Sequence, residues 1–87
     1  MSDLKKTFEA ASEAVKQLPE RPDNDMLLKL YALYKQATEG DVSGPKPSLF
    51  DFKGFAKYEA WEKLKGTSAE KAMQDYINLV KRLGGAF

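Results

Sequence analysis

Aromatic and lysine side chains recur together at helical spacing in this chain. Tyr31, Tyr34 and Lys35, in the stretch LYALYKQATEGD, stand at i, i+3 and i+4, so a helix would place all three on one face. Lysine ammonium groups suit phosphates, and tyrosine rings can stack on a flat base while keeping a hydroxyl for hydrogen bonding. Such a face would suit a ligand that carries a purine and several phosphates.

A second row of the same kind follows a proline- and glycine-rich stretch. Lys53, Lys57 and Trp61 stand at i, i+4 and i+8, again on one face of a helix. Taken alone, this pattern is typical of solvated lysines and of a tryptophan in the core, and Tyr76 further along is also typical of a core residue. Two such faces joined by a long loop favour a binding site over the plainer interpretation.

The residue types that are absent narrow the chemistry. The chain has no histidine and no cysteine, so it lacks the commonest general base, the strongest nucleophile and the usual zinc ligands. No phosphate-binding glycine loop or nucleophile elbow is present. We therefore expect no catalysis, no metal site and no cofactor. A net charge of +1 carries no signal for nucleic acid.

Length and hydropathy give the broad class. The 87 residues suffice for a single domain, 1–87, and no stretch approaches the ~20 apolar residues of a membrane span. The N-terminal segment has no apolar run typical of a signal peptide. We expect a monomeric, cytoplasmic protein without stable insertion into a membrane.

Apolar periodicity predicts four helices and no strands. The first ends at Pro19 and Pro22, the second begins near Asp23 and ends at Gly40, and a loop of about a dozen residues follows.

Capping patterns place the last two helices. A Ser48–Asp51 pair predicts the start of the third helix, which we expect to span about 51–64. Gly66 predicts a stop, and a capping box of Thr67 and Glu70 predicts the start of the fourth helix. The pattern predicts an all-α bundle but does not fix the helix directions.

Three separated blocks carry a family resemblance. YALYKQATEGD, FDFKGFAKYEAW and KLKGTSAEKAMQDYI resemble the acyl-CoA-binding protein family, in one register over the whole chain. The resemblance implies an antiparallel four-helix bundle in an up-down-down-up arrangement, with a long loop between helices 2 and 3. It also implies non-catalytic intracellular binding, buffering and transport of long-chain fatty acyl-CoA thioesters.

The resemblance also implies site residues. Tyr31, Lys35 and Lys57 would hold the 3′-phosphate and neighbouring phosphates of CoA, and Tyr34 would stack near the adenine. Tyr76 would contact the ligand from the fourth helix. Further candidates near the CoA moiety are Lys53 and Lys16. Residues expected to line the acyl chain are Leu27, Leu28, Ala56, Ala11 and Ser12.

Two other functions compete with this interpretation. A helical interaction module could use the aromatic and lysine face to dock an acidic or phosphorylated protein. An acyl-CoA hydrolase or isomerase is disfavoured because histidine and cysteine are missing.

Overall fold

The computed structural model describes residues 2–87 as an all-α protein. Its helices are α1 (Ser2–Ala14), α2 (Asn24–Glu39), α3 (Phe52–Glu62) and α4 (Ala69–Arg82), and a single 3-10 turn (Val15–Gln17) continues α1. All regular secondary structure within this range is helical, which confirms the predicted fold class. The predicted domain also includes Met1, which lies outside the described residues.

Three of the predicted helix boundaries have clear local causes. Leu18 is extended, with a ψ of 145°, because the following Pro19 disfavours the helical region for the residue before it. At the start of α2 the side chain of Asp23 accepts a hydrogen bond from the Met26 backbone N–H at 2.9 Å, as an N-cap should. At its end Gly40 has a φ of +80°, so the predicted stop is confirmed.

The predicted caps of the other two helices were each misplaced. Asp51 itself caps α3 by accepting from the Gly54 N–H at 3.1 Å, whereas Ser48 accepts from the N–H of Phe50. A Cβ at Gly54 would collide with the Asp51 carboxylate, so this cap depends on glycine. Ser68, not Thr67, caps α4 through the Lys71 N–H at 3.1 Å.

Side-chain contacts fix the directions of the helices. Lys57 of α3 lies over the ring of Tyr31, and Lys35 of α2 lies over Trp61. A residue one turn later in α2 therefore contacts a residue one turn later in α3, so the two helices run parallel. The end of α2 meets the start of α4 through a Gln36–Thr67 hydrogen bond, so these two helices are antiparallel.

The remaining helix, α1, runs with α4. Phe8 packs on Tyr76, and Pro19 after α1 lies against Gly84 after α4. The arrangement is therefore up-down-down-up, in agreement with the expectation.

The core lies where α1, α2 and α4 meet, and α4 supplies half of it. Its buried members are Phe8, Ala11, Leu30, Leu33, Ala37, Ala72, Tyr76, Ile77, Leu79 and Val80. Helix α3 contributes none of these residues and packs on α2, with Trp61 as its buried residue. The face of α2 that turns towards α3 is therefore left to form a cleft with it.

A buried amide joins the end of α2 to the α3–α4 turn. The Gln36 side chain is 1% exposed, and its Nε2 donates to Asp41 Oδ1 at 2.9 Å and to the Thr67 carbonyl at 2.8 Å. The same Asp41 oxygen accepts from the Gly66 N–H at 2.8 Å. Three parts of the chain are thus held at one point.

The loop between α2 and α3 runs back along α3. Trp61 Nε1 donates to the Gly40 carbonyl at 2.8 Å, and the Tyr58 hydroxyl donates to the Gly44 carbonyl at 3.2 Å. Next along the loop, Lys46 lies 4.9 Å from the Phe55 ring centre. Successive loop residues thus contact successively earlier residues of α3, from its end towards its start. This return is necessary because α2 and α3 are parallel.

None of the helices in residues 2–87 is both long enough and apolar enough to cross a lipid bilayer.

The Gln36–Asp41 junction should make stability sensitive to acid. Hydrogen bonds from the Gly66 N–H and the Gln36 side chain hold the pKa of Asp41 below its usual 3.8. Because the folded state then binds this proton more weakly than the unfolded chain, the stabilisation is present above the unfolded pKa and is lost as pH falls through the folded one. We expect Asp41→Asn to lower the urea midpoint at neutral pH and to flatten its decline in acid.

Glu20→Gln, at an exposed position before α2, serves as the control in the same urea titrations. Equal acid sensitivity in the wild type and in Asp41→Asn would contradict the role given to Asp41.

Candidate functional site

Two tyrosines and Phe8 form an aromatic cluster between α1, α2 and α4. The rings of Phe8 and Tyr34 are 5.5 Å apart and nearly parallel, and Tyr76 meets Phe8 edge-on at 5.1 Å. Tyr34 and Tyr76 are 6.1 Å apart. Tyr34 is 42% exposed, whereas Tyr76 is 4% exposed, so one ring offers a face to solvent and the other forms the floor.

A cavity of about 300 Å³ lies against this cluster, and we call it the tyrosine cavity. Its lining residues are Val15, Pro22, Leu27, Leu30, Tyr31, Tyr34 and Tyr76. Burial, and secondarily Tyr34, raise the pKa of Tyr76 to about 12, so its hydroxyl stays protonated at neutral pH. This cavity can receive a flat or apolar group and offers phenol hydroxyls to it.

A second cavity of about 380 Å³, the cationic cavity, lies between the first halves of α2 and α3. Its lining residues are Arg21, Asn24, Leu27, Leu28, Tyr31, Phe52, Lys53, Ala56 and Lys57. Leu27 and Tyr31 line both cavities, so the two are adjacent parts of one concave face. Three cations thus stand around an apolar floor.

Two lysines are placed by aromatic rings. Lys57 Nζ lies 5.1 Å from the Tyr31 ring centre, and Lys35 Nζ lies 5.0 Å from that of Trp61. Lys35 also pairs with Glu39, one turn on, and a hydrogen bond from it to that carboxylate raises the pKa of Lys35. Lys57 can present its ammonium group to an anion, whereas Lys35 would share its ammonium group between an anion and Glu39.

The structure brings together most of the residues singled out from the sequence. Tyr31, Tyr34 and Tyr76 line the tyrosine cavity, and Lys53, Lys57 and Ala56 line the cationic cavity. Leu27 lines both and Leu28 the second. Lys35 stands one turn beyond Tyr31 on α2, so the ammonium group lies on the same face.

Three candidates from α1 and the 3-10 turn after it lie apart from these cavities. Ala11 is fully buried in the core, and Ser12 lines a separate depression beside Tyr34, with its hydroxyl donating to the Glu9 carbonyl. Lys16 is exposed and pairs with Glu13 at 3.2 Å. Their proposed contacts with a ligand would require movement of α1 or an approach along its rim.

Sequence reasoning missed three residues of the cationic cavity, Arg21, Asn24 and Phe52, of which the first and last contribute a charge and a ring. Arg21 lies between the prolines, where only the end of the first helix was considered, and Phe52 opens α3. A cation just before a helix start and an apolar residue directly after an N-cap were the available signals. Both point into the cleft only because α2 and α3 start at the same end of the bundle.

Fold and site together define a small helical ligand-binding domain with an aromatic, cation-rimmed cleft. The family model described as acyl-CoA-binding protein matches residues 5–80. The acyl-CoA-binding protein homolog of Drosophila melanogaster is 55% identical over 76 residues, which cover 87% of this chain and 88% of that protein. The chain belongs to the acyl-CoA-binding protein family, which confirms the resemblance found in the sequence.

Two further comparisons agree in sequence and in structure. The acyl-CoA-binding protein of Saccharomyces cerevisiae is 54% identical over 76 residues, covering 87% of each chain. The crystal structure of Oryza sativa acyl-CoA-binding protein 2 superposes with a TM-score of 0.90 at 44% identity, covering 94% of this chain and 89% of that one.

The raised pKa of Tyr76 predicts a loss of stability in alkali. The unfolded chain ionises this phenol near pH 10.0, whereas the folded protein holds the proton to about pH 12. The stabilisation is therefore complete below the lower value and disappears as pH rises towards the higher one. We expect Tyr76→Phe to remove this part of the alkaline decline in urea midpoints.

Tyr31→Phe is the matched control, since it removes a phenol from the same cavity at a less buried position. If the urea midpoint of Tyr76→Phe fell in alkali as steeply as that of Tyr31→Phe, the burial argument would be refuted.

Proposed function

We propose that residues 1–87 form one domain that binds, buffers and carries long-chain fatty acyl-CoA thioesters without catalysis. The observation that carries the proposal is the adjacency of the two cavities, which share Leu27 and Tyr31. Their combined face offers stacking surface, cations and apolar floor in contact with one another. A ligand with a purine, phosphates and an alkyl chain uses all three properties at once.

The cations and tyrosines are assigned to the CoA moiety. Lys57 and Lys35, with Tyr31 between them, would hold the 3′-phosphate and its neighbours, and Tyr34 would stack on the adenine with its exposed ring face. Their position over aromatic rings supports this, because little side-chain entropy then has to be lost on binding.

Four further residues have supporting roles around the same moiety. Tyr76 would donate its hydroxyl, which the raised pKa keeps protonated. Lys53 and the newly recognised Arg21 would add positive charge at the rim of the cationic cavity. Lys16 would act only at longer range, from the exposed end of α1.

The apolar floor is assigned to the acyl chain. Leu27, Leu28 and Ala56 line the cationic cavity, and the small side chain of Ala56 leaves room between the parallel helices. Burial is worth ~0.8 kcal/mol per methylene, so a 16-carbon chain contributes on the order of 10 kcal/mol before ordering costs. Each lysine–phosphate pair at a partly exposed site contributes about 0.5–1 kcal/mol. The chain should dominate affinity and the cations should set orientation.

The groups in the cleft support the proposal of binding without catalysis. Histidine and cysteine are missing from the sequence, and the tyrosine with the altered pKa is shifted away from neutrality, so it is a poor base. The alternative of a module that docks an acidic protein gains no support from the comparisons. A cytoplasmic location and a monomeric state stay predictions.

Ligand selectivity tests the proposal as a whole. We expect palmitoyl-CoA to bind far more tightly than CoA, which lacks the alkyl chain, and palmitate to bind poorly, because it lacks every group that the cations hold. Isothermal titration calorimetry with the three ligands measures this. Equal affinity for all three, or no binding of palmitoyl-CoA, would overturn the proposal.

Single lysine substitutions test the assignment of the phosphates. Lys57→Ala should weaken palmitoyl-CoA binding by roughly three- to tenfold and reduce its dependence on salt, because one partly desolvated charge pair is lost. Lys35→Ala should act in the same direction, and Lys6→Ala, exposed on α1, is the matched control. Wild-type affinity in Lys57→Ala, with helicity retained, would remove Lys57 from the site.

A further inference from the structure

Three large apolar side chains project from the start of α3 and the loop before it. Leu49 is 67% exposed, Phe50 is 92% exposed and Phe52 is 79% exposed. We call this group the apolar tip. Side chains of this kind concentrated within four residues are unusual on a protein that acts alone in water, since each leaves its apolar area in contact with solvent.

The tip is held in place by contacts on both sides. The loop is attached to α3 through Tyr58 and Lys46, as described above, and Lys46 also pairs with Glu59 at 3.4 Å. Asp51, at the centre of the tip, accepts the Gly54 N–H and starts the helix. The tip therefore protrudes from a fixed frame.

Positively charged side chains border the tip at Phe52. Phe52 lines the cationic cavity together with Arg21, Lys53 and Lys57, so three cations lie beside the apolar side chains. The one carboxylate within the tip, Asp51, is engaged as a helix cap. An apolar centre with cations beside it matches the chemistry of a bilayer that carries anionic headgroups.

We propose that the apolar tip docks the protein reversibly on the surface of anionic phospholipid bilayers, with Phe50 as the deepest side chain. The inserted side chains would reach below the headgroups while the neighbouring cations meet lipid phosphates. This proposal concerns the protein surface and holds whichever ligand fills the cleft.

A bilayer suits the tip better than a protein partner or a second copy of the chain. The exposed area of the three side chains is on the order of 450 Å², below the ~800 Å² per partner of a stable protein interface. Leu49 and Phe50 also project outward without lining either cavity, whereas Phe52 lines the cationic cavity. A deformable apolar layer can surround such a projection, whereas a protein partner would need a matching pocket.

Docking would give the cleft a defined position. Because Phe52 belongs to both the tip and the cationic cavity, the mouth of that cavity would lie at the headgroup level. A molecule with an alkyl chain in the bilayer could then enter the cleft without crossing bulk water.

The test is co-sedimentation of the ligand-free full chain with vesicles. One set contains phosphatidylcholine only, and the other contains phosphatidylcholine with about a quarter phosphatidylserine. We expect binding to the anionic vesicles, weakening with salt, and about tenfold weaker binding for Phe50→Ser, because one buried aromatic side chain is lost. Phe50 lines none of the cavities described above, so calorimetry should give unchanged palmitoyl-CoA affinity for this variant.

Gln74→Ser is the control, since Gln74 is an exposed, uncharged residue in the first half of α4, which begins at the opposite end of the bundle from the start of α3. It should bind vesicles as the wild type does. Equal binding of Phe50→Ser and wild type, or equal binding to neutral and anionic vesicles, would overturn the proposal. Sedimentation of wild type as a dimer, abolished by Phe50→Ser, would show instead that the tip joins two copies. Loss of palmitoyl-CoA binding with vesicle binding intact would refute the proposed function alone.

Discussion

The buried amide of Gln36 is the interaction on which the arrangement of the cleft depends. It holds the end of α2, the start of the long loop and the turn before α4 at one point, through Asp41 and the Thr67 carbonyl. At 1% exposure the Nε2 group is costly to bury unless its hydrogen bonds are made, and both are made here, so competing placements of these segments are disfavoured. The Oε1 atom of the same amide is buried without a hydrogen-bond partner among the described residues. With that point fixed, α3 must end and α4 must begin beside the end of α2.

Because α2 and α3 are parallel, this constraint leaves an open binding face between them. Two antiparallel neighbours could be joined by a short turn, but a parallel pair needs a connection that returns over the full length of a helix. The loop meets that need by lying along α3 rather than between the helices. The space between their starting turns therefore stays open, and Leu27, Ala56 and Lys57 face it.

Local signals in the sequence predicted the helices, whereas their contacts required the fold. Apolar spacing located the helices, and the glycine at position 40 marked an end correctly because only its own backbone was involved. Thr67 and Ser68 are both plausible N-caps. The Thr67 carbonyl accepts a hydrogen bond from Gln36, which is 31 residues away in sequence and so gives no local signal. The shared face of Tyr31 and Lys35 was predictable from helical spacing. Arg21 and Phe52 were not, because they join the cleft through tertiary packing between separate segments.

The core has a consequence for synthesis on the ribosome. Half of its buried residues belong to α4, and the aromatic ring of Phe8 near the start of the chain packs against Tyr76 near its end. A nascent chain that has released only α1, α2 and α3 leaves the apolar faces of α1 and α2 without their main partner. Folding must therefore wait until the last helix leaves the exit tunnel, and during that interval the exposed faces are what a nascent-chain chaperone would meet.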